Sequence, residues 1–410
     1  MRRPAGPRRA LRPAAALLPL LLLAAGARAG RPAAAAGPAA GRAPAGGGSG
    51  DFDPPEWCVS VHPPTDDMGA MRLEAQEAFD IGVRCVRTDV YTSAMAGEST
   101  QKYVRRYLKT LRETGHRRLV VVMGGGLKLA DVLKIRAGDL VAWRAYVVQV
   151  ARAVKEAEWS RDEVVFQLLN EPNHFPQWKI YHERTALVAA AAEELVEFWG
   201  PGVSLGVNVF ADADYLDYPW RRTLHDLVAA VPAVTHVGID HYPSTWMLRS
   251  SKCWGELAQL LHDTEDPGSP LFNRTVAVFE TGYSSFLPLV GERWQKNYME
   301  RIPRLLHEIG RGRIAFVNFY ELMDNCDRGL LARLNPERHF GLMCSPKSGD
   351  QALTRKPAYL ALAAEIRQLD EERAARRRRS ARGPTGRRGR GGELVLDSPS
   401  GGPRRAHDYQ

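Results

Sequence analysis

The apolar positions of this chain come in two rhythms. Short, nearly continuous runs rich in β-branched and aromatic residues occur at 57–61, 82–90, 119–123, 164–169, 203–209, 234–239, 276–279 and 314–319. Such a run keeps no polar face for water, so it predicts a strand covered on both sides, as in a parallel sheet. Between the runs, apolar residues recur every three or four positions: residues 142–158, the Ala-rich stretch 185–199 with Leu187, Val188, Leu195 and Val196, and residues 294–309. That spacing lays an apolar stripe along one side of a helix. Eight strands separated by helices predict a (β/α)8 barrel, an α/β fold, as a single domain over residues 51–370. A doubly wound open sheet is the rival architecture. It would carry a Gly-rich phosphate turn after its first strand, and none stands there. Gly124-Gly-Gly126 lacks the lysine spacing of a P-loop and reads as a strand-end turn.

Composition changes this picture mainly at the ends. With 410 residues and 44% hydrophobic content the chain can bury a large core. Residues 1–50 hold eight Arg and no acid, and residues 370–410 hold eleven Arg against six acids. The net charge of +9 therefore resides in the ends, and residues 51–369 come to about −4. A nucleic-acid-binding face should be basic within the fold, so nucleic acid is not an expected partner. Arg2, Arg3, Arg8, Arg9 and Arg12 precede an apolar run at 14–25 and the small-x-small site Ala27-Arg28-Ala29. This is the pattern of an export signal over residues 1–29, and its apolar run is too short for a comfortable membrane span. A secreted protein without stable membrane insertion is expected. Residues 30–50 predict a flexible linker, and residues 371–410, with four consecutive arginines at 376–379, a disordered basic tail. Among the five cysteines, Cys326 and Cys344 flank one late loop and make the favoured bridge. Cys58 and Cys85 fall in the first two strands and can equally be buried thiols; Cys253 completes the set. No cysteine has metal-ligand spacing, nor do His174 and His182 pair with a carboxylate in that way, so neither a metal nor a cofactor is expected. The one glycosylation sequon is Asn273-Arg274-Thr275.

The chemistry concentrates on two glutamates. Glu171 stands in Phe166-Gln-Leu-Leu-Asn-Glu-Pro-Asn173 and Glu280 in Val276-Ala-Val-Phe-Glu-Thr-Gly-Tyr283. Each follows a predicted strand, the fourth and the seventh, at the end of a parallel barrel where catalytic groups collect. Two carboxylates facing each other across a cleft are what cleavage of a glycosidic bond requires. A Ser-His-Asp hydrolase is disfavoured, because no Gly-x-Ser-x-Gly elbow occurs.

With Leu169-Asn-Glu-Pro172 and the second strand-end glutamate, the chain resembles the clan A glycoside hydrolases, and is similar to their family 5 and family 39 members. These are (β/α)8 enzymes with a proton donor after strand 4 and a nucleophile after strand 7. The resemblance covers about residues 55–365. It implies a retaining hydrolase of β-linked sugars, with Glu280 as nucleophile and Glu171 as acid and base, their carboxyl groups about 5–5.5 Å apart. It also implies that Asn170 hydrogen-bonds the sugar 2-hydroxyl, and that Arg87, in Val86-Arg-Thr-Asp89, lies beneath the nucleophile. In Gly238-Ile-Asp-His-Tyr-Pro243, Tyr242 would contact the nucleophile and His241 would line the cleft. Phe340-Gly-Leu-Met343 followed by Lys356-Pro-Ala-Tyr359 is similar to the clan's closing segment. The tryptophan that many members carry after strand 8 is replaced within Asn318-Phe-Tyr-Glu-Leu322, where Phe319 or Tyr320 would offer the aromatic face. Trp178 and Trp246, in loops after strands 4 and 6, are candidates for stacking on sugar rings and suggest an open groove for a β-glucan or β-mannan. A monomer acting on an oligo- or polysaccharide is expected. The alternatives are a carbohydrate-binding pseudoenzyme on the same fold and a transglycosylase.

Overall fold

The computed structural model describes residues 52–62, 68–125, 127, 129–212, 218–243, 245, 254–286, 291–324, 335–344 and 354–381. The export signal, the linker, residues 382–410 of the basic tail, Cys253, Cys326 and Trp246 lie outside the described residues, as does the side chain of Trp178.

Each of the eight apolar runs holds a strand. They are β1 (Glu56–Ser60), β2 (Cys85–Asp89), β3 (Arg118–Val122), β4 (Val164–Gln167), β5 (Ser204–Phe210), β6 (His236–His241), β7 (Thr275–Thr281) and β8 (Ile314–Phe319). Successive strands pair in parallel, and β1 pairs with β8 at Trp57↔Val317, which closes the barrel. Helices cover the outside: α1 (Met68–Asp80), α2 (Glu98–Glu113), α3 (Leu129–Arg136), α4 (Val141–Glu156), α5 (Arg184–Trp199), α6 (Trp220–Ala230), α7 (Gly255–Glu265), α8 (Gly291–Met299), α9 (Ile302–Gly310) and α10 (Pro357–Ala381). The apolar stripe of α4 buries Trp143, Tyr146, Val147, Val150 and Val154, and the Trp143 Nε1–H donates to the Leu187 carbonyl of α5 at 2.9 Å. That bond gives the indole a partner inside an otherwise apolar contact.

Inside the barrel the strands change character over two residues. Cys58, Cys85, Val120, Val165, Ala277, Phe279 and Phe316 form one apolar cluster. Two positions further along, Ser60, Arg87, Gln167 and Asn318 form part of a polar layer that is completed by Asn208, Asp240 and Glu280, all of them buried. Side chains two apart on a strand share a face, so this step carries the barrel from core to site. Gly206 and Gly238 leave room for the Phe279 ring; a Cβ on Gly206 would sit 2.8 Å from it.

Two expectations need correction. Residues 294–309 form two helices, not one, because Pro303 stands in the first turn of α9 and has no N–H with which to continue α8. The basic tail does not begin at residue 371, since α10 runs on to Ala381. Its Ala, Arg, Glu and Gln residues are strong helix formers. Arg304 ties Glu365 and Glu372 down, and Arg373 and Arg377 both donate to Asp53. Between the two readings open for Cys58 and Cys85, the structure shows the disulfide: β1 and β2 align them directly, with Cα atoms 4.4 Å apart. Cys344 is disulfide-bonded as well.

At the carboxyl end of the barrel, β9 (Met323–Asp324), β10 (Met343–Cys344) and β11 (Thr354–Arg355) form a small sheet. Its position is fixed by buried polar contacts: Lys356 pairs with Asp324, and the Gln295 amide donates to the carbonyls of Phe340 and Gly341 at 2.9 and 3.2 Å. This brings Phe340 against Tyr242, with ring centroids 5.1 Å apart. Among the described residues, no helix is long and apolar enough to cross a membrane.

Candidate active site

A bulge aims Glu280. Along β6 and β7 the register runs Ile239↔Val278 and then Asp240↔Glu280, so Phe279 is one residue more than its partner strand supplies. Strict alternation would send Glu280 outward, given that Phe279 packs inside. The extra residue lets both point into the barrel. Arg87 Nη2 then lies 2.5 Å from Glu280 Oε1, while the Tyr242 hydroxyl donates to Oε2. Both carboxylate oxygens are therefore engaged.

Glu171 arrives differently. Its φ of 44° lies in the left-handed region, immediately before Pro172, a conformation that costs a non-glycine residue about 1–2 kcal/mol. The neighbouring Asn170 holds the turn. Its Oδ1 accepts from Arg87 Nη2 and Gln167 Nε2, both at 2.9 Å, and from Asn208 Nδ2 at 3.1 Å. With Oδ1 saturated and no acceptor for its Nδ2–H2 among the described residues, Asn170 has that amide to offer to a ligand. The Asn208 Oδ1 accepts in turn from the Glu171 backbone N–H at 3.4 Å. The strain at Glu171 is thus borne by amides that also connect it to the polar layer.

Glu171, Asp240 and Glu280 each place an oxygen within 4.8 Å of the other two. They are the one group of acids among the described residues close enough to hold a hard cation, but Arg87 already supplies the positive charge beside Glu280. Burial pushes the Glu171 carboxyl well above the usual carboxylate range, and the charges of Asp240 and Glu280 push it further. Asp240, fully buried, is raised too, by burial first and then by Glu280. Burial alone would lower Arg87, yet Glu280, Asp89 and Asp240 outweigh it and hold the guanidinium protonated. Burial, followed by the charges of Glu280, Asp240 and Glu171, raises the Tyr242 hydroxyl well above its ordinary value, so it stays a donor.

Glu171, Glu280 and Tyr242 line a cavity of about 220 Å³ at the carboxyl ends of the strands, together with Asp89, Tyr91, Gly125, Asn170, His174, Gln177, Phe210, Tyr320 and Glu337. Tyr320, not Phe319, faces it; Phe319 is fully buried and packs on Trp57. At its edge His62 bridges Glu321 (2.8 Å) and Asp89 (3.4 Å). Burial opposes the charge on that imidazole, but Glu321 and Asp89 prevail and raise it to about 9.

The structure brings Glu171, Glu280, Asn170, Arg87, Tyr242 and Tyr320 together. His241 does not join them. It is fully buried, pairs through Nδ1 with Asp212 and packs edge-on against Trp254. The reason is strand alternation: in Gly238-Ile-Asp-His-Tyr242 the residues sharing a face with Tyr242 are Asp240 and Gly238, so His241 points into the helix layer. Asp240, Asn208 and Gln167 are the members that sequence reading missed. For Asp240 the signal was available, since placing Tyr242 inside places Asp240 inside as well.

The fold and the opposed carboxylates define a (β/α)8 barrel with an acidic site at the carboxyl ends of its strands. No protein-family model and no curated sequence matches the chain. Solved structures do. A family 39 glycoside hydrolase from the gut symbiont Bacteroides cellulosilyticus WH2 superposes with a TM-score of 0.54 at 18% identity, over 77% of this chain and 64% of that one. An exo-β-1,4-mannosidase from Opitutaceae bacterium strain TAV5 gives 0.54 at 14%, covering 78% and 60%. A hyperthermophilic β-glucosidase gives 0.53 at 11%, covering 75% and 99%. The chain thus spans less than two thirds of the first two proteins, and the likeness is one of fold.

Proposed function

We propose that the protein is a secreted, retaining glycoside hydrolase of the clan A type, acting on β-linked sugars by double displacement. The observation that carries this reading is the opposition of Glu171 and Glu280, whose oxygens come within 4.8 Å. Retaining enzymes hold their carboxyl groups about 5–5.5 Å apart, whereas inverting ones leave about 6.5–9.5 Å for a water. In the first step a Glu280 oxygen bonds to the anomeric carbon as the bond to the departing oxygen breaks, and that oxygen takes the proton of Glu171. In the second, water gives a proton to Glu171, attacks the anomeric carbon and releases Glu280. The environments suit the division of labour: Glu171 is raised by burial and neighbouring charge, while Glu280 rests against a guanidinium. The Asn170 amide is available to a sugar hydroxyl, and Tyr320 stands where the resemblance places a stacking aromatic. A fully buried disulfide, Cys58–Cys85, supports export to an oxidising compartment. The fold neighbours that are a β-glucosidase and a β-mannosidase support a β-linked substrate.

The test is a screen of aryl β-glycosides and β-linked oligosaccharides with wild type and Glu280→Gln, followed by NMR of the first-formed anomer. Turnover with retention, reduced on the order of 10³-fold or more in Glu280→Gln with an unchanged circular dichroism spectrum, is the expected result. Equal turnover by the variant, or an inverted product, overturns the reading. Sugar binding without turnover would point to the pseudoenzyme.

A further inference from the structure

The residue with the least obvious duty in the polar layer is Asp240. It is fully buried, and its Oδ2 accepts from Asn208 Nδ2 at 2.5 Å. Its Oδ1 is buried too, and among the described residues no N–H or hydroxyl donates to it. What does lie close to Asp240 is the carboxyl group of Glu171, with an oxygen within 4.8 Å of one of its own. Two carboxyl groups in that relation, Asp240 fully buried and Glu171 half-buried, repel unless one carries a proton, and an unpaired buried acceptor is itself costly. A single proton on Glu171, donated toward Asp240 Oδ1, removes both penalties at once.

We propose that Asp240 is the positioning residue of the acid/base group: Glu171 and Asp240 share one proton, held on Glu171 and aimed by Asp240 until the departing oxygen takes it. This rests on the hydrolase reading above and names a residue for which that reading gave no role. The charge balance fits both steps. Before reaction, Glu171 is neutral, Asp240 and Glu280 are negative, and Arg87 is positive. After the glycosyl bond to Glu280 forms, that carboxyl is a neutral ester and Glu171 carries the charge instead. The total in the pocket does not change, so the proton moves without a net cost in buried charge. Glu171 then faces an ionised Asp240 with no proton between them, which makes it a stronger base toward the incoming water. The other groups facing this pair are Glu280 from β7, Arg87 from β2, Tyr242 at the end of β6, and His174 in the loop after β4, whose charge would oppose the effect.

The experiment is the pH profile of kcat/KM for Asp240→Asn, which keeps shape and the Asn208 contact but removes the acceptor charge. It is read with two leaving groups on the same sugar. With an alkyl or sugar leaving group, which needs the Glu171 proton, the alkaline limb is expected to move down by at least about one pH unit, a loss of roughly tenfold at pH 7–8. With a nitrophenolate leaving group, which departs without protonation, the first step should change by less than about threefold. An unmoved limb overturns the proposal, as does a loss equal for both leaving groups at every pH, which is what a merely structural role would give. A second measurement needs no active variant. Infrared spectroscopy of the wild-type protein at pH 7 should show the carbonyl stretch of a protonated, strongly hydrogen-bonded carboxyl that is lost in Glu171→Gln. Its absence from the wild type overturns the shared proton even if Asp240→Asn fails to fold. Failure of the wild type to cleave any glycoside would instead defeat the hydrolase reading, leaving the infrared result to judge the proton.

Discussion

At the scale of the residue, the site is an arrangement of donors around carboxylates. Each oxygen of Glu280 has one donor, and the Tyr242 hydroxyl is the one that can be removed without disturbing a charge. Tyr242→Phe keeps the ring packed on Phe340 and leaves Arg87 in place, so the expected change is functional. A hydrogen bond to a charged group contributes about 1.5–3 kcal/mol, and if it is fully felt in the glycosylation transition state kcat/KM falls by roughly 10- to 150-fold. Steady-state kinetics on an aryl glycoside would show this, and a change smaller than twofold would remove Tyr242 from the machinery. Glu171, Glu280 and Arg87 could be picked out of the sequence because their positions follow from strand order plus a short motif. Asp240 and Asn208 carry no such motif. Asp240 was legible only through the alternation that places it on the same face as Tyr242. Asn208 lies inside a strand among residues that read as core, where nothing local announces a buried amide. The misplacement of His241 arose from treating two successive strand residues as cleft-facing, which a period of two forbids.

Elements were legible where one rhythm ruled and illegible where a break or a tertiary contact ruled. All eight strands fell on their runs because both faces of a barrel strand are buried, and such a run is unmistakable. The extent of α10 depended instead on ion pairs with Arg304 and Asp53, partners far away in sequence. The β6–β7 bulge was equally invisible, yet it decides where Glu280 points. Its geometry depends on Gly238, where an added Cβ would collide with the Ala277 carbonyl oxygen and the ring of Phe279. Relief would require Phe279 to move, and with it the bulge. Gly238→Ala is therefore expected to lose about 3 kcal/mol of stability and most of the activity, measured by urea titration and turnover. Gly255→Ala, at the first position of α7 with nothing within 4 Å of its Cβ, should leave both within about 0.5 kcal/mol of wild type. Equal effects in the two variants would show that the bulge does not depend on the missing side chain at Gly238.

For the whole molecule the question is what holds a closed barrel shut. β1 has to find both β2, its sequence neighbour, and β8, which is more than 250 residues away. Closure of a sheet over so long a loop is entropically expensive. The Cys58–Cys85 disulfide acts on the short side of that problem, fixing β1 to β2 in the register that the native barrel uses. Its two half-cystines are 27 residues apart. A cross-link closing a loop of that length removes about 3.5 kcal/mol of conformational entropy from the unfolded chain. Because both sulfurs lie in the apolar cluster with Phe279 and Phe316 and are fully buried, a reductant reaches them only when the barrel opens. The double variant Cys58→Ala, Cys85→Ala should thus melt roughly 5–10 °C lower, with the active-site geometry and kcat at 25 °C little changed. The polar layer carrying Arg87 and Glu280 begins two residues beyond the sulfurs and keeps its own hydrogen bonds. An unchanged melting temperature would mean that the strands already meet in the unfolded ensemble. A large fall in kcat with an unchanged melting temperature would mean that the bridge sets the position of Arg87 rather than the closure of the barrel.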